Sequence, residues 1–396
     1  MPVGERIELR RLQRRLSRRI VANLVGRSEE WLRLIESGRL RLDSVEVTLR
    51  LAAVLHIDDF RELIDRPVQQ RRSGNPAAID LVTVLRPAIM DHPALAANGE
   101  PAVANLPAEL LRCEELWSGS WQRFTQTAQR LTPLLIAVRG RHWRTGGDSR
   151  ELLIRAYHLC RQLLTAVGAN DFAVLVADRA VAATAHHDRP TVLAAGAWHM
   201  AEALLHLEKP DTGRDFATAA ERLIRDGDTA EEMVLRGALQ LVTAKSVAAL
   251  SDTVEADRLL AAAVRTARHL GGSRRALGID FGPTEIALTR MEIALACHDF
   301  DKVIAAARGM DGAEQHLAGR GARYHIMVAA ALAGRNDDMG AVFTLAKAAE
   351  ISPEDLRYDS DVTRTLRHLL RQDNQLLRSD LARLTELADP RLGSVS

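Results

Sequence analysis

From about residue 108 to 390 the chain is a succession of amphipathic stretches of 12–20 residues, joined by short turns such as GAND, DRP, GGSRR, GRND and ADP. Apolar residues recur in them at three- and four-residue spacing, and no run alternates apolar and polar residues as a half-buried strand does. That pattern predicts an all-α fold. Composition agrees, because only 4% of residues are aromatic and the chain is rich in Ala, Leu and Arg, which suits helices better than sheets. An apolar share of 47% with 27% charged residues is that of a globular chain able to bury its own core.

One helical hairpin cannot bury its apolar face alone, so regularly spaced hairpins imply a stack. In 322–353, Ala329, Ala341, Leu345, Ala348 and Pro353 occupy the small, bulky and terminal-proline positions of a tetratricopeptide unit. Ala244, Ala256, Leu260 and Ala263 repeat part of that spacing. Small residues belong where the two helices cross, and a bulky one fills the gap beside them. We expect a tetratricopeptide-like α-solenoid over 108–390, preceded by a linker and lead-in helix over 66–107. The segment RPVQQRRSGNPAA (66–78) has the proline, glycine and polar content of a linker.

Residues 1–65 read as a separate domain of five short helices. Residues 1–72 carry 16 Arg against 11 acidic residues, a balance of +5, whereas the remainder carries −4; a basic head on an acidic body suits a polyanionic partner. Leu9, Leu12 and Leu16 predict an apolar stripe on the first helix. Ser17 predicts the cap of a second helix bearing Val21, Leu24 and Val25, which Gly26 ends. Ser28 caps a third with Leu32 and Ile35, and Asp43 with Glu46 forms a capping box for a fourth with Val47, Leu51 and Leu55. Asp58 or Asp59 opens the fifth.

Within LSRRIVANLVGRSEEWLRLIESG (16–38), Leu16-Ser17, Val21-Ala22, Gly26-Arg27-Ser28 and Ile35-Glu36-Ser37-Gly38 match together. The segment resembles the helix-turn-helix of Xre/lambda-repressor-like regulators, over about residues 7–57. The resemblance implies that the helix from Ser28 enters the major groove of DNA. Glu29, Glu30, Trp31 and Arg33 then face base edges or nearby phosphates, with Arg33 suited to guanine and a glutamate to cytosine N4. Arg18, Arg39 and Arg41 are implied phosphate contacts, helped by amides at helix starts, and Arg27 and Ser28 are further implied DNA-binding residues. Glu29 and Glu30 have a second reading, stabilising the positive end of the helix, and Trp31 a second one, packing on the domain surface. In the body, segments 157–184, 281–308 and 351–370 resemble the C-terminal region of actinobacterial Xre-type regulators with degenerate tetratricopeptide repeats. The order of head and solenoid is also similar to that of Gram-positive quorum-sensing receptors, whose solenoids bind short peptides.

Signatures of enzymes are missing. GGSRRALG (271–278) has no Lys-Ser/Thr and follows a helix, unlike a phosphate-binding loop. Cys113, Cys160 and Cys297 lie far apart, which argues against a disulfide framework or a zinc module. His186-His187-Asp188 reads as a helix-end turn, and Trp117, Trp121, Trp143 and Trp198 read as core. No cofactor or metal is expected. The start, MPVGERIELRRLQRRL, is not a signal peptide and no run of about 18 apolar residues occurs, so a cytoplasmic location is expected.

Polar residues within the apolar first helices of the hairpins face the wall that a solenoid offers to ligands. His199, Glu202, Arg236, Lys245, Glu285, Glu292 and Arg323 are the candidates. Together these features predict a homodimeric transcriptional regulator that binds an inverted-repeat operator in double-stranded DNA. Its solenoid is expected to sense a peptide, small molecule or protein. The competing expectation is a scaffold whose head pairs with proteins.

Overall fold

The computed structural model describes residues 3–14, 16–36, 45–55, 76–91, 93, 103–184, 189–224, 228–310, 318–372 and 374–389. The chain divides into two compact units, Met1–Gly74 and Asn75–Ser396. It is all-α, with an N-terminal helix-turn-helix domain followed by tetratricopeptide-like helical hairpins.

In the first unit, α1 (Val3–Gln13), α2 (Arg18–Leu24), α3 (Glu29–Glu36) and α4 (Val45–Leu55) enclose a small core of Ile7, Val21, Val25, Leu32, Ile35, Leu51 and Leu55. Ser17 caps α2 as the sequence predicts, accepting from the Ile20 amide at 3.3 Å. Gly26 follows α2 at φ +73°, where glycine is unstrained. Two expectations of face are corrected. Leu12 is 57% exposed because α1 turns Gly4, Ile7 and Arg11 inward instead, and Leu24 is 59% exposed because α2 buries Val21 and Ala22, with Val25 just after it. A Cβ on Gly4 would stand 2.4 Å from the Ile35 carbonyl oxygen, so α1 lies directly against the end of α3. Asp43 and the fifth helix from Asp58 or Asp59 lie outside the described residues.

The second unit opens with α5 (Pro76–Met90), which packs on α7. Its hairpins are α6 (Leu106–Gly119) with α7 (Arg123–Thr145), α8 (Arg150–Ala166) with α9 (Asn170–Thr184), and α10 (Pro190–His206) with α11 (Pro210–Leu223). They continue as α12 (Ala230–Ala249) with α13 (Thr253–Leu270), α14 (Pro283–Ala296) with α15 (Phe300–Arg308), and α16 (Ala318–Gly334) with α17 (Asp338–Ile351). First helices of successive hairpins are neighbours from α6 to α16, so they form one layer. The chain ends in α18 (Pro353–Tyr358), α19 (Ser360–Arg371) and α20 (Arg378–Ala388).

The small residues predicted at the crossings are buried there. Ala329, Ala341, Leu345 and Ala348 have no exposed surface, and Ala244 and Ala263 likewise. Five hairpins share one turn. Gly168, Glu208, Ser251, His298 and Asn336 each take a left-handed φ between +57° and +71°. The next amide then reaches back to a carbonyl of the last turn, as from Asp252 to Val247, Asp299 to Ala294 and Asp337 to Leu332, each at 2.9 Å. This is the Schellman closure. Asp252, Asp299 and Asp337 then cap the following helix through their side chains. Only one of the five left-handed positions is glycine, so the composition of the turns concealed their regularity.

One element departs from the predicted all-helical pattern. Strands β1 (Arg274–Ala276) and β2 (Ile279–Phe281) pair antiparallel, with Arg274 opposite Phe281. Leu277 and Gly278 join them with φ of +49° and +79°, the hand that suits a two-residue hairpin turn. Three-residue strands are too short for alternation to register in a sequence window. Phe281 is fully buried, and a Cβ on Gly237 of α12 would fall 2.0 Å from its ring. Two of the tryptophans expected in the core are also corrected: Trp121 and Trp143 are exposed, while Trp117 is buried between α6 and α7. Among the described residues no helix is long and apolar enough to cross a membrane.

Candidate nucleic-acid interface and the polar seam of the repeats

The helix that the sequence assigns to DNA is short and presents its start to solvent. Ser28 Oγ accepts from the Trp31 amide at 3.1 Å, so Ser28 closes the first turn of α3. Glu29 and Glu30 occupy that turn and are exposed, where the positive helix end favours them. Arg33, one turn on, grips Glu30 with both arms, Nε to Oε2 at 2.8 Å and Nη2 to Oε1 at 2.6 Å. An exposed pair of this kind contributes little stability, so a base or phosphate can displace it. Trp31 is half-buried against the core of the head, with the Arg27 guanidinium 6.0 Å from its ring centroid. Arg39 and Arg41 lie outside the described residues.

Arg18 has an internal role that its position did not announce. Its Nε donates to Glu36 Oε2 at 2.5 Å and its Nη2 to Glu8 Oε1 at 2.8 Å. Glu36 also accepts from Arg11, Nε to Oε1 at 2.6 Å and Nη2 to Oε2 at 3.2 Å. Both Arg11 and Glu36 are buried, so one carboxylate ties α1, α2 and α3 together. Sequence reasoning missed this tie. Leu32, Ile35 and Glu36 share a helical face, as do Gly4, Ile7 and Arg11, but Leu9, Leu12 and Leu16 offer a competing apolar stripe and periodicity does not choose between them.

Five of the seven residues proposed for the solenoid wall fall into one line along the first helices. His199 on α10 stacks on His158 of α8, ring centroids 3.8 Å apart, and its Nδ1 lies 3.1 Å from Arg161 Nε. One turn on, Glu202 pairs with Lys245 of α12 at 2.5 Å. Lys245 also faces Glu292 of α14 at 3.7 Å, which in turn faces Arg323 of α16 at 3.6 Å. Arg323 ends the line on Asp359 at 2.9 Å and Asp361 at 2.8 Å. Burial works against the charge on Glu202, but Lys245 holds its pKa below the usual range. Burial likewise opposes the charge on Arg323, and Asp359, Asp361 and Glu292 outweigh it. Glu285 pairs with Arg320, which also meets Asp280 of β2 at 3.1 Å. Arg236 stands apart; it donates to the Ile224 carbonyl at 2.8 Å and lines a cavity of about 350 Å³ with Gln240, Arg265 and His269. His199, Glu202 and Lys245 are thus engaged with internal partners, while the Glu292 and Arg323 side chains keep part of their surface exposed. Among the described residues no cluster of His, Cys, Asp and Glu is placed to hold a metal, and His186-His187-Asp188 lies outside them.

The histidine pair makes the repeat unit sensitive to acid. Burial, then Arg161 and Arg155, push His158 from 6.5 down to about 3, and burial with His158 and Arg161 lowers His199 well below its ordinary value. The unfolded chain therefore binds protons below about pH 6.5 that the native one refuses, so stability falls as pH drops toward 3. The slope per imidazole approaches about 1.4 kcal/mol per pH unit. We expect a His158→Phe variant to melt with a flatter pH dependence than wild type between about pH 6 and 4. Parallel melting curves for the two proteins contradict this assignment.

Comparison with known proteins places the head. Residues 2–65 match the helix-turn-helix domain family. No curated protein matches the chain. Among solved structures, Bacillus thuringiensis PlcR in complex with the peptide PapR7 and DNA is similar at a TM-score of 0.34 and 11% identity. That alignment covers 77% of this chain and 91% of PlcR, and likeness at this level places no constraint on the site.

Proposed function

We propose that the chain is a sequence-specific DNA-binding transcriptional regulator of the Xre type. In this reading it acts in the cytoplasm as a homodimer on an inverted repeat, with half-sites about one helical turn, roughly 34–36 Å, apart. The repeat unit serves as the sensor for a peptide, small molecule or protein and catalyses nothing. The observation that carries the reading is the helix-turn-helix match over residues 2–65 on a head whose α3 is capped by Ser28 and exposes Glu29, Glu30 and Arg33. A sensor fits by population shift, a ligand favouring one dimer geometry and so changing the DNA-competent fraction.

Selection from a randomised duplex pool with the full-length protein tests it, followed by titration of the selected site at several salt concentrations. Arg33→Ala is expected to relax preference at one base position, a loss of about 1–3 kcal/mol in discrimination. Arg27→Ala is expected to weaken all sequences alike and to lower the salt slope by about one unit. Uniform losses from both variants remove base reading from Arg33. A pool that yields no motif and no salt-dependent retention favours the scaffold.

A further inference from the structure

Hairpins in a stack touch their neighbours, so residues more than 200 positions apart have no reason to meet. In the repeat unit they do. Arg123, the first residue of α7, donates to both oxygens of Asp355 on α18, Nε to Oδ2 at 2.9 Å and Nη2 to Oδ1 at 2.7 Å. Glu354 accepts from the Phe124 amide at 2.7 Å and the Thr125 amide at 3.2 Å, and also from the Thr125 hydroxyl. The start of α7 has no side-chain cap of its own at Gln122, and this carboxylate serves its orphan amides from the far end of the unit. The Arg123 guanidinium lies 4.1 Å from the Trp117 ring centroid, and Tyr358 covers Phe124 with centroids 4.5 Å apart.

The join differs in kind from the packing on either side. One apolar core gathers α5 to α10 and another α16 to α20, and they remain separate clusters. Tyr358 is the side chain from α18 that packs against the first. Two carboxylates, one guanidinium, two amides and a hydroxyl make the polar part of the join; α16 also lies against α6 and α18 against α5, and Ser352 donates to the Trp121 carbonyl at 3.4 Å. A buried ion pair adds little over an apolar contact of the same shape, yet removing one partner leaves a stranded charge. Such a contact is a poor staple and a good switch. The helices α10 to α15 pack mainly on their sequence neighbours, so parting the ends separates α16 from α6 and Arg275 from Ser118 but leaves those hairpins intact.

We propose that Glu354-Asp355 and the start of α7 form a releasable clasp, and that the repeat unit exchanges between this closed state and one in which α18 has left α7. Arg323 keeps Asp359 and Asp361 inside the α16 to α20 cluster, so opening moves that cluster as a body away from α7 and widens the gap between the two cores. The proposal concerns the repeat unit and holds whether or not the head binds DNA.

Hydrogen exchange of the full-length chain, read segment by segment, tests it. In wild type the segments 121–127 and 352–359 should exchange together and faster than α12. In Arg123→Gln and Asp355→Asn their exchange should rise on the order of 100-fold, the scale of a broken buried pair, while α10 to α14 stay protected. Glu354→Gln, which keeps shape and one acceptor, should give a smaller rise in the same two segments. The reversed pair Arg123→Asp with Asp355→Arg should restore protection at least about tenfold over either single variant. A rise spread over all helices makes the contact an ordinary part of one cooperative core and overturns the clasp. No rise in either segment overturns it as well.

Discussion

Glu36→Ala is expected to unfold the head and abolish retention on every DNA sequence, although Glu36 touches no DNA in the proposed geometry. Its carboxylate holds Arg11 and Arg18 at once, and Arg11 is buried with it. Breaking a buried pair by removing one partner costs about 3–5 kcal/mol. A domain of some 60 residues has little more than that in reserve. Glu36→Gln keeps the shape and one acceptor oxygen, although its amide NH2 then faces an arginine donor, and should lose less. Arg18→Ala should lose less still, because the Arg18 side chain is 38% exposed and its pairs are screened by water. Thermal melting of the full-length variants, followed by helix signal, checks the order. Glu36→Ala melting like wild type sinks the tie between the first three helices.

A comparable effect is expected in the repeat unit from a single methyl group. In Gly237→Ala the new Cβ falls 2.0 Å from the Phe281 ring, so the ring must move from a site where it is fully buried. Overpacking of this kind costs about 1–3 kcal/mol, and more where the displaced group is large. Phe281→Ala alone should cost about 3–5 kcal/mol through the cavity it leaves. Combining Gly237→Ala with Phe281→Leu should recover part of the loss, since each change relieves the other. A double-mutant cycle on melting free energy measures that coupling, and strictly additive losses contradict the close approach of β2 to α12.

The fold was largely legible because helical periodicity and capping chemistry are local. Ser17, Ser28 and the alanines at the crossings of 322–353 needed no tertiary knowledge. What escaped was decided by partners distant in sequence. Leu12 fits an apolar stripe, but Arg11 takes the inward face because Glu36 lies opposite. The short hairpin 274–281 seats Phe281 against Gly237, far earlier in the chain, where a Cβ would collide with the ring. Glu202, Lys245, Glu292 and Arg323 could each be picked as polar residues on an apolar face, yet nothing local shows that they neutralise one another in series. The turns at Glu208, Ser251, His298 and Asn336 carry a left-handed residue without the glycine that marks one. For the head, the resemblance points to Ser28, Glu29, Glu30, Trp31 and Arg33, while the bond between Glu30 and Arg33 appears only with the side chains in place.

A regulator of this kind requires the head to bind DNA by sequence. Sequencing the DNA that co-purifies with the tagged full-length protein from cells that make it, beside an Arg27→Ala/Arg33→Ala variant, tests that most directly. The prediction is a short inverted repeat, with half-sites about one helical turn apart, enriched by wild type and lost in the variant. Equal recovery of DNA by both proteins, with no shared motif, contradicts it.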